Sequence, residues 1–155
     1  MRTTSIQCYF DVLGNGYDPT VLTHALGIEP TKTWRIGDRT RKSGRPYKQD
    51  GWSLRSDEVA SLDLQEVVLP ILTRMYPVAS ILVDSCARLQ LEPILACAVY
   101  VKDGHMPAIT LDTKTVRMLG TLGAALDIDV IDLGPSDEGG SPEGEWLTGP
   151  FQIAP

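Results

Sequence analysis

The chain has 155 residues, of which 43% are hydrophobic and 22% charged, and its formal net charge is -6. These values are typical of one compact soluble domain that buries a sizeable core. The acidic balance argues against general nucleic-acid binding, because affinity for phosphates requires many distributed cations.

No targeting or membrane segment is visible in the sequence. The first residues lead directly into a strand-like segment, without the apolar region and cleavage site of a secretory signal. The most apolar stretch, residues 81–101, is interrupted by Asp84, Arg88 and Pro93, which excludes a spanning helix. The three cysteines lie in apolar contexts and form no C-x-x-C pair, so we expect reduced thiols in a cytoplasmic protein.

The N-terminal third of the chain predicts a strand, a helix and two further strands. Residues 6–13 carry aromatic and β-branched side chains that are typical of a strand. A helix is expected to begin at the cap formed by Asp18 and Pro19 and to end at Gly27. Two strands are predicted next, over residues 28–37 and 47–55, and residues 38–46 form the loop that joins them.

A long, interrupted helix is predicted in the middle of the chain. Apolar residues recur at helical spacing over residues 64–75, after a capping box formed by Asp63 and Glu66. Pro70 lies inside this segment, and an interior proline costs about 3 kcal/mol or more, so we expect a kink or a restart there. A second amphipathic stretch follows over residues 78–89.

The C-terminal part of the domain predicts three strands and one helix. Residues 94–101 are so consistently apolar that we expect a central strand. Asp112 caps the helix, which lies between a short strand at 108–111 and a final strand at 127–133. The two ends of the domain share the pattern strand, helix, strand. The predicted fold class is therefore α+β, with a mainly antiparallel sheet, helices on one face, and two related βαβ-like halves of ferredoxin-like character.

The composition changes near the C-terminus. Residues 134–155 hold four prolines and four carboxylates but no lysine or arginine. We therefore predict a single domain over residues 1–133, followed by a Pro/Gly-rich acidic tail over residues 134–155. Glu143 and Glu145 in this tail are candidates to cover the basic segment described next.

Basic residues are concentrated in one segment of this acidic chain. Seven of the fourteen lie between Lys32 and Lys48, where only Asp38 opposes them, so this window carries +6 and the remainder carries -12. Arginines beside aromatic rings are suited to phosphates or carboxylates. The candidate ligand-binding residues are Trp34, Arg35, Arg39, Arg41, Arg45 and Trp52. The alternative role of the two tryptophans is structural, as large core side chains of a two-stranded ribbon.

No catalytic or metal-binding motif is recognisable. There is no nucleophile elbow, Walker loop or dinucleotide fingerprint, and the cysteines have no evident base partner. Asp127 and Asp129 share one face of the last predicted strand, but without histidine neighbours they favour a solvated sheet face over a metal site. We therefore expect a protein that is not an enzyme and that uses neither a cofactor nor a metal.

Several motifs occur in the order found in a known family. They are LGIEPT at residues 26–31, WRIGD at 34–38, WSL at 52–54 and LGAALDIDV at 122–130. With these motifs the chain resembles an uncharacterised bacterial family, domain of unknown function 4279, over roughly residues 6–133. The resemblance implies a small cytoplasmic α+β domain and transfers no catalytic residue.

Two functions from different classes fit these observations. The first is a protein-binding inhibitor, such as a bacterial immunity protein that neutralises a cognate basic toxin, because the charge outside the basic window is -12. Its candidate contact residues are Asp127, Asp129, Glu143 and Glu145. The second is a small-anion or nucleotide-binding module, in which the arginines of the basic window hold phosphates and Trp34 or Trp52 stacks a base.

Overall fold

The computed structural model describes residues 2–136. The six strands are β1 (Ser5–Gly14), β2 (Lys32–Trp34), β3 (Asp50–Arg55), β4 (Val59–Ala60), β5 (Glu92–Val101) and β6 (Ala125–Asp132). The four α-helices are α1 (Pro19–Leu26), α2 (Leu64–Met75), α3 (Ala79–Leu89) and α4 (Thr113–Thr121), and a 3₁₀ turn, Tyr76–Val78, joins α2 to α3.

The strands form one mixed sheet in the order β2-β3-β1-β5-β6, with the short β4 paired to the start of β1. All pairings are antiparallel except β5 with β6. The first part of the chain therefore has the ferredoxin-like βαββαβ arrangement, to which α4 and β6 add a parallel βαβ unit. This confirms the predicted α+β class with a mainly antiparallel sheet. The two βαβ-like halves differ, because β3 lies between β1 and β2 whereas β5 and β6 are neighbours.

The hydrophobic core lies between the sheet and the helices. Alternate residues of β1, such as Ile6 and Phe10, face this core together with side chains from all four α-helices. Within residues 2–136 the helices pack on this one side, as predicted. We call the opposite side the helix-free face. It carries Tyr9, Ala96 and Ala98 in one cluster and Leu13, Trp34 and Tyr47 in another.

Three aspartates determine where helices begin. The side chains of Asp18, Asp63 and Asp112 accept hydrogen bonds from backbone N–H groups in the first turns of α1, α2 and α4. The capping box predicted for α2 is only half formed, because the Glu66 carboxylate accepts from Ser61 Oγ instead of from the Asp63 N–H. The helical interruption occurs at the 3₁₀ turn, whereas Pro70 lies inside α2.

Several predicted boundaries require correction. The strands expected over 28–37 and 47–55 are restricted to Lys32–Trp34 and Asp50–Arg55, because the residues between them form a small hairpin of their own. The strand expected at 108–111 is a single bridge between Ala108 and Asp63. Most of the predicted tail, including Glu143 and Glu145, lies outside the described residues.

The helical run Leu64–Leu89 is long and apolar enough to cross a membrane by length and composition alone. Its apolar residues, among them Leu72, Met75 and Leu82, belong to the core against the sheet. This packing is the one expected of a core helix in an α+β domain.

Candidate binding surfaces

The basic window forms a hairpin that projects from the β2 edge of the sheet. We call residues 35–49, between β2 and β3, the basic hairpin. Its strands are held by hydrogen bonds from Tyr47 N–H to the Asp38 carbonyl (2.8 Å) and from Thr40 N–H to the Arg45 carbonyl (2.9 Å). Arg39, Arg41 and Arg45 are all exposed. The hairpin therefore presents several cations to solvent at one end of the sheet.

The base of the basic hairpin is fixed by a buried carboxylate. Asp50 is 1% exposed, and its Oδ1 accepts from Arg35 Nε and from the Ile36 N–H, both at 2.9 Å. Its Oδ2 accepts from the N–H groups of Gly16 (2.7 Å) and Tyr17 (3.1 Å). Burial works to raise the pKa of Asp50, but the hydrogen bonds from Ile36, Arg35 and Gly16 outweigh it and lower that pKa. Arg35 is therefore an anchor of the hairpin as well as a surface cation.

The two tryptophans lie on opposite faces of the sheet. Trp52 is fully buried on the helix side, where its Nε1–H donates to Thr23 Oγ1 at 3.0 Å. Trp34 lies on the helix-free face, 4% exposed, and stacks on Tyr47 with ring centroids 4.9 Å apart. Trp52 consequently cannot stack a ligand held by the hairpin arginines, which corrects its assignment as a candidate ligand-binding residue. Both rings are therefore described better as large packed side chains than as stacking surfaces for a ligand.

On β2 and β3, two cations lie over aromatic rings of the helix-free face. The Arg55 guanidinium is 4.8 Å from the Tyr9 ring centroid and 5.9 Å from that of Trp34. Lys32 Nζ donates to the Tyr47 hydroxyl at 2.8 Å and lies 5.3 Å from that ring centroid. Such contacts hold a cation in place without neutralising its charge. Sequence reasoning missed Arg55 and Tyr9, because only the register of β1 against β3 shows that they are cross-strand partners.

A buried carboxylate lies within the same face. Asp11 is 6% exposed, and among the described residues its Oδ1 has no hydrogen-bond partner. Burial raises the pKa of Asp11, although a hydrogen bond from Ser53 and the charges of Arg55 and Lys32 act in the opposite direction. Arg55 Nε in turn donates to Ser53 Oγ at 3.0 Å. Asp11 is therefore an incompletely satisfied acidic group inside a basic cluster.

The opposite edge of the sheet is acidic. Asp127 and Asp129 lie on the helix-free face of β6, the terminal strand. Burial, and then the neighbouring Asp127, raise the pKa of Asp129. On the other face of the same strand, Leu126 and Val130 are 41% and 44% exposed. Residues 118–136 contain three carboxylates, Asp127, Asp129 and Asp132, and no lysine or arginine. The sheet therefore separates charge, with a basic β2 edge and an acidic β6 edge.

The remaining chemistry of the described residues is sparse. Within residues 2–136, no group of three or more histidine, cysteine or acidic side chains is arranged to hold a metal ion. Cys8 and Cys97 are buried partners across β1 and β5 with their sulfur atoms 3.4 Å apart. The hydrogen bond with Cys8, followed by burial, raises the pKa of Cys97, which keeps this thiol protonated.

These features define the class of the protein as an α+β domain of ferredoxin-like topology with a charge-separated sheet. The chain belongs to the family described as Domain of unknown function (DUF4279), whose model matches residues 3–133. This match confirms the resemblance carried by the Leu-Gly, Trp and Asp-x-Asp motifs. Comparisons with curated proteins and with solved structures found no match.

Proposed function

We propose that this protein is a non-enzymatic inhibitor that captures a basic protein, acting as a bacterial immunity protein against a cognate toxin. The observation that carries the proposal is the acidic β6 edge, where Asp127 and Asp129 stand on one face of a terminal strand. Glu143 and Glu145 add negative charge to the same end of the sequence.

The charge distribution supports rapid capture of a basic partner. An acidic surface raises the rate of encounter with a positively charged protein, and it repels nucleic acid that would compete for that protein. The basic hairpin lies at the opposite edge of the sheet, so it does not cancel the field at β6.

The geometry of β6 supports a specific contact. Alternate side chains on one face of a strand are about 6.5 Å apart, so Asp127 and Asp129 offer two carboxylates at a fixed spacing for lysine or arginine. Leu126 and Val130 add exposed apolar surface on the other side of the edge. A partner that covers this edge therefore meets two carboxylates on one face of β6 and apolar side chains on the other.

A cytoplasmic location belongs to this proposal. The buried Cys8 and Cys97 thiols are free although their sulfur atoms are only 3.4 Å apart, and a reducing compartment would keep them free. A toxin inhibitor that protects the producing cell would act in the same compartment.

Co-expression tests the proposed function. The product of the gene adjacent to this one is expressed in a bacterial host, alone and together with this chain, and growth is measured. We expect growth arrest that the wild-type chain relieves and that the double variant Asp127→Lys/Asp129→Lys does not. The matched control, Glu29→Lys/Asp84→Lys, makes the same charge change at exposed sites elsewhere and should still protect. Protection by the β6 variant as good as that of wild type would contradict the proposed surface.

A second candidate is a module that binds a small phosphorylated anion or nucleotide. The exposed cations of the basic hairpin favour it, with Lys32 and Arg55 held nearby. Base stacking would then have to use Trp34 after displacement of Tyr47. A thermal-shift series with inorganic phosphate, nucleotides and cyclic dinucleotides tests this function, and the absence of any shift in melting temperature rejects it.

A further inference from the structure

We infer that the basic partner binds by adding an extended segment to the free edge of β6, the side that faces away from β5, as a further strand whose side chains alternate between basic and apolar. This inference rests on the proposed function, because it describes how the captured protein is held. It follows from the backbone of β6 and from the side chains that alternate along it.

The free edge of β6 is accessible along its whole length. Within residues 2–136, β6 is the last strand of the sheet and pairs with β5 alone. None of its eight residues is buried. The strand at the opposite edge of the sheet, β2, has only three residues. Extended peptides pair with exposed strand edges, so β6 is the longer template for an added strand.

Alternate backbone groups of β6 point to this free edge. Leu133, directly after β6, donates its N–H to the Val101 carbonyl at 2.8 Å, so the odd-numbered residues direct their N–H and C=O groups towards β5. In a parallel pair, alternate residues of a strand direct these groups to opposite sides. Leu126, Ile128 and Val130 therefore present N–H donors and carbonyl acceptors to a further strand.

The side chains of β6 determine which strand fits. Asp127 and Asp129 lie on the helix-free face, whereas the exposed Leu126 and Val130 lie on the other face. Residues directly opposite each other on paired strands have Cβ atoms about 4.5–5.5 Å apart, so lysine or arginine at alternate positions would meet the two aspartates. The positions between them would lie beside Leu126 and Val130, where apolar or β-branched side chains fit.

Charge disfavours a second copy of this chain as the added strand. Two β6 strands paired antiparallel about Ile128 would place Asp127 opposite Asp129 on both sides of the centre. Like charges directly opposite each other destabilise a sheet. A basic segment from another protein replaces this repulsion with attraction, so the free edge is better suited to the proposed partner than to self-pairing.

A synthetic probe tests this binding mode on the purified full-length chain. The probe is a fluorescent peptide, as long as β6, in which lysine alternates with valine. Fluorescence polarisation at low salt should give a dissociation constant below about 1 mM. Two further probes carry backbone N-methyl groups, one at the lysines and the other at the valines. Because alternate N–H groups of a strand point to opposite sides, only one of these two probes should bind more weakly, by at least about tenfold.

A proline in β6 tests the same edge from the side of the protein. Val130→Pro removes an outward N–H but no donor to β5, a position where a sheet tolerates proline. It should bind the unmethylated probe at least about tenfold more weakly than wild type. The matched control Val130→Thr keeps the N–H and should bind like wild type. Hydrogen exchange on the wild-type chain gives a second readout, in which the probe should slow exchange of the Ile128 amide.

Several results would overturn the inference. They are the absence of binding up to about 1 mM probe, equal weakening by both N-methylated probes, and an unchanged exchange rate at Ile128. A wild-type dimer that Val130→Pro converts to a monomer would also overturn it, because the edge would then belong to a second copy. The co-expression assay is separate from these measurements. Protection without strand addition would retain the inhibitor and reject this binding mode, whereas strand addition without protection would retain the binding mode and reject the inhibitor.

Discussion

Replacing the buried Asp11 with asparagine should stabilise the protein at neutral pH. Asp11 is 6% exposed, and among the described residues its Oδ1 accepts no hydrogen bond. The net direction of its pKa is upward, so burial outweighs the favourable contributions of Ser53, Arg55 and Lys32. Burying the ionised carboxylate therefore destabilises the folded state more than its contacts with these residues stabilise it.

The magnitude follows from the groups that change. A buried acceptor without a partner costs about 1–3 kcal/mol, and more when it is charged. The Asp11→Asn side chain retains an oxygen for the Ser53 hydroxyl. Its amide N–H groups are left unpaired, however, and this destabilising effect offsets part of the gain from removing the buried charge. We expect a net increase of about 1–2 kcal/mol in the free energy of unfolding at pH 7.

The pH dependence gives the sharper readout. Because the folded-state pKa of Asp11 is raised, its contribution to stability is fully present below the unfolded pKa of about 3.9 and is lost as pH rises through the folded value. The advantage of Asp11→Asn should therefore be absent in acid and grow toward neutral pH in urea unfolding curves. Asp127→Asn, at an exposed site, serves as the control. A variant more than about 1 kcal/mol less stable than wild type at pH 7, with an unchanged urea dependence, would refute this reasoning.

Two substitutions and one labelling experiment test other parts of the structure. Asp50→Ala should reduce the free energy of unfolding by about 3–5 kcal/mol, because it leaves four buried or partly buried donors without their acceptor. The pKa of Asp50 is lowered in the folded state, so the loss of stability in Asp50→Ala relative to wild type should be full above the unfolded pKa of about 3.9 and become smaller in acid. Urea unfolding curves at several pH values measure this difference. Gly51→Ala should destabilise the chain by about 1–3 kcal/mol and alter the near-UV dichroism, because the new methyl group meets the Trp34 ring; an unchanged spectrum would contradict this packing. Burial raises the pKa of Cys86 to about 11, so alkylation followed by mass spectrometry should be slow at pH 7 and accelerate with pH, whereas rapid labelling at pH 7 would show an exposed thiolate.

Local sequence signals predicted most of the helical structure. The aspartates at positions 18, 63 and 112 identified three helix starts because capping is a contact between residues two or three apart. Period-two and apolar patterns likewise located β1 and β5. These features depend on residues that are close together in the sequence, so they can be recognised from the sequence alone.

Features that depend on strand register could not be predicted. The assignment of Trp34 and Trp52 to one ligand site failed because pairing places Trp34 opposite Gly51 and Thr33 opposite Trp52, so the two rings point in opposite directions. Arg55 and Asp127 are 72 positions apart in the chain, yet the registers of β3 with β1, β1 with β5 and β5 with β6 align them across the sheet. The strand predicted over residues 28–37 is longer than the observed strand, Lys32–Trp34. Backbone hydrogen bonds within the basic hairpin replace β2–β3 pairing after Trp34.

Stopped-flow association is the most direct test of the central claim that the acidic β6 surface captures a basic protein. The purified product of the adjacent gene is mixed with this chain at increasing ionic strength, and the association rate constant is measured. We predict a fall of at least about tenfold between about 20 mM and 300 mM salt, and a slower low-salt rate for Asp127→Asn/Asp129→Asn than for wild type. An association rate that is independent of salt and unchanged in that variant would contradict the account.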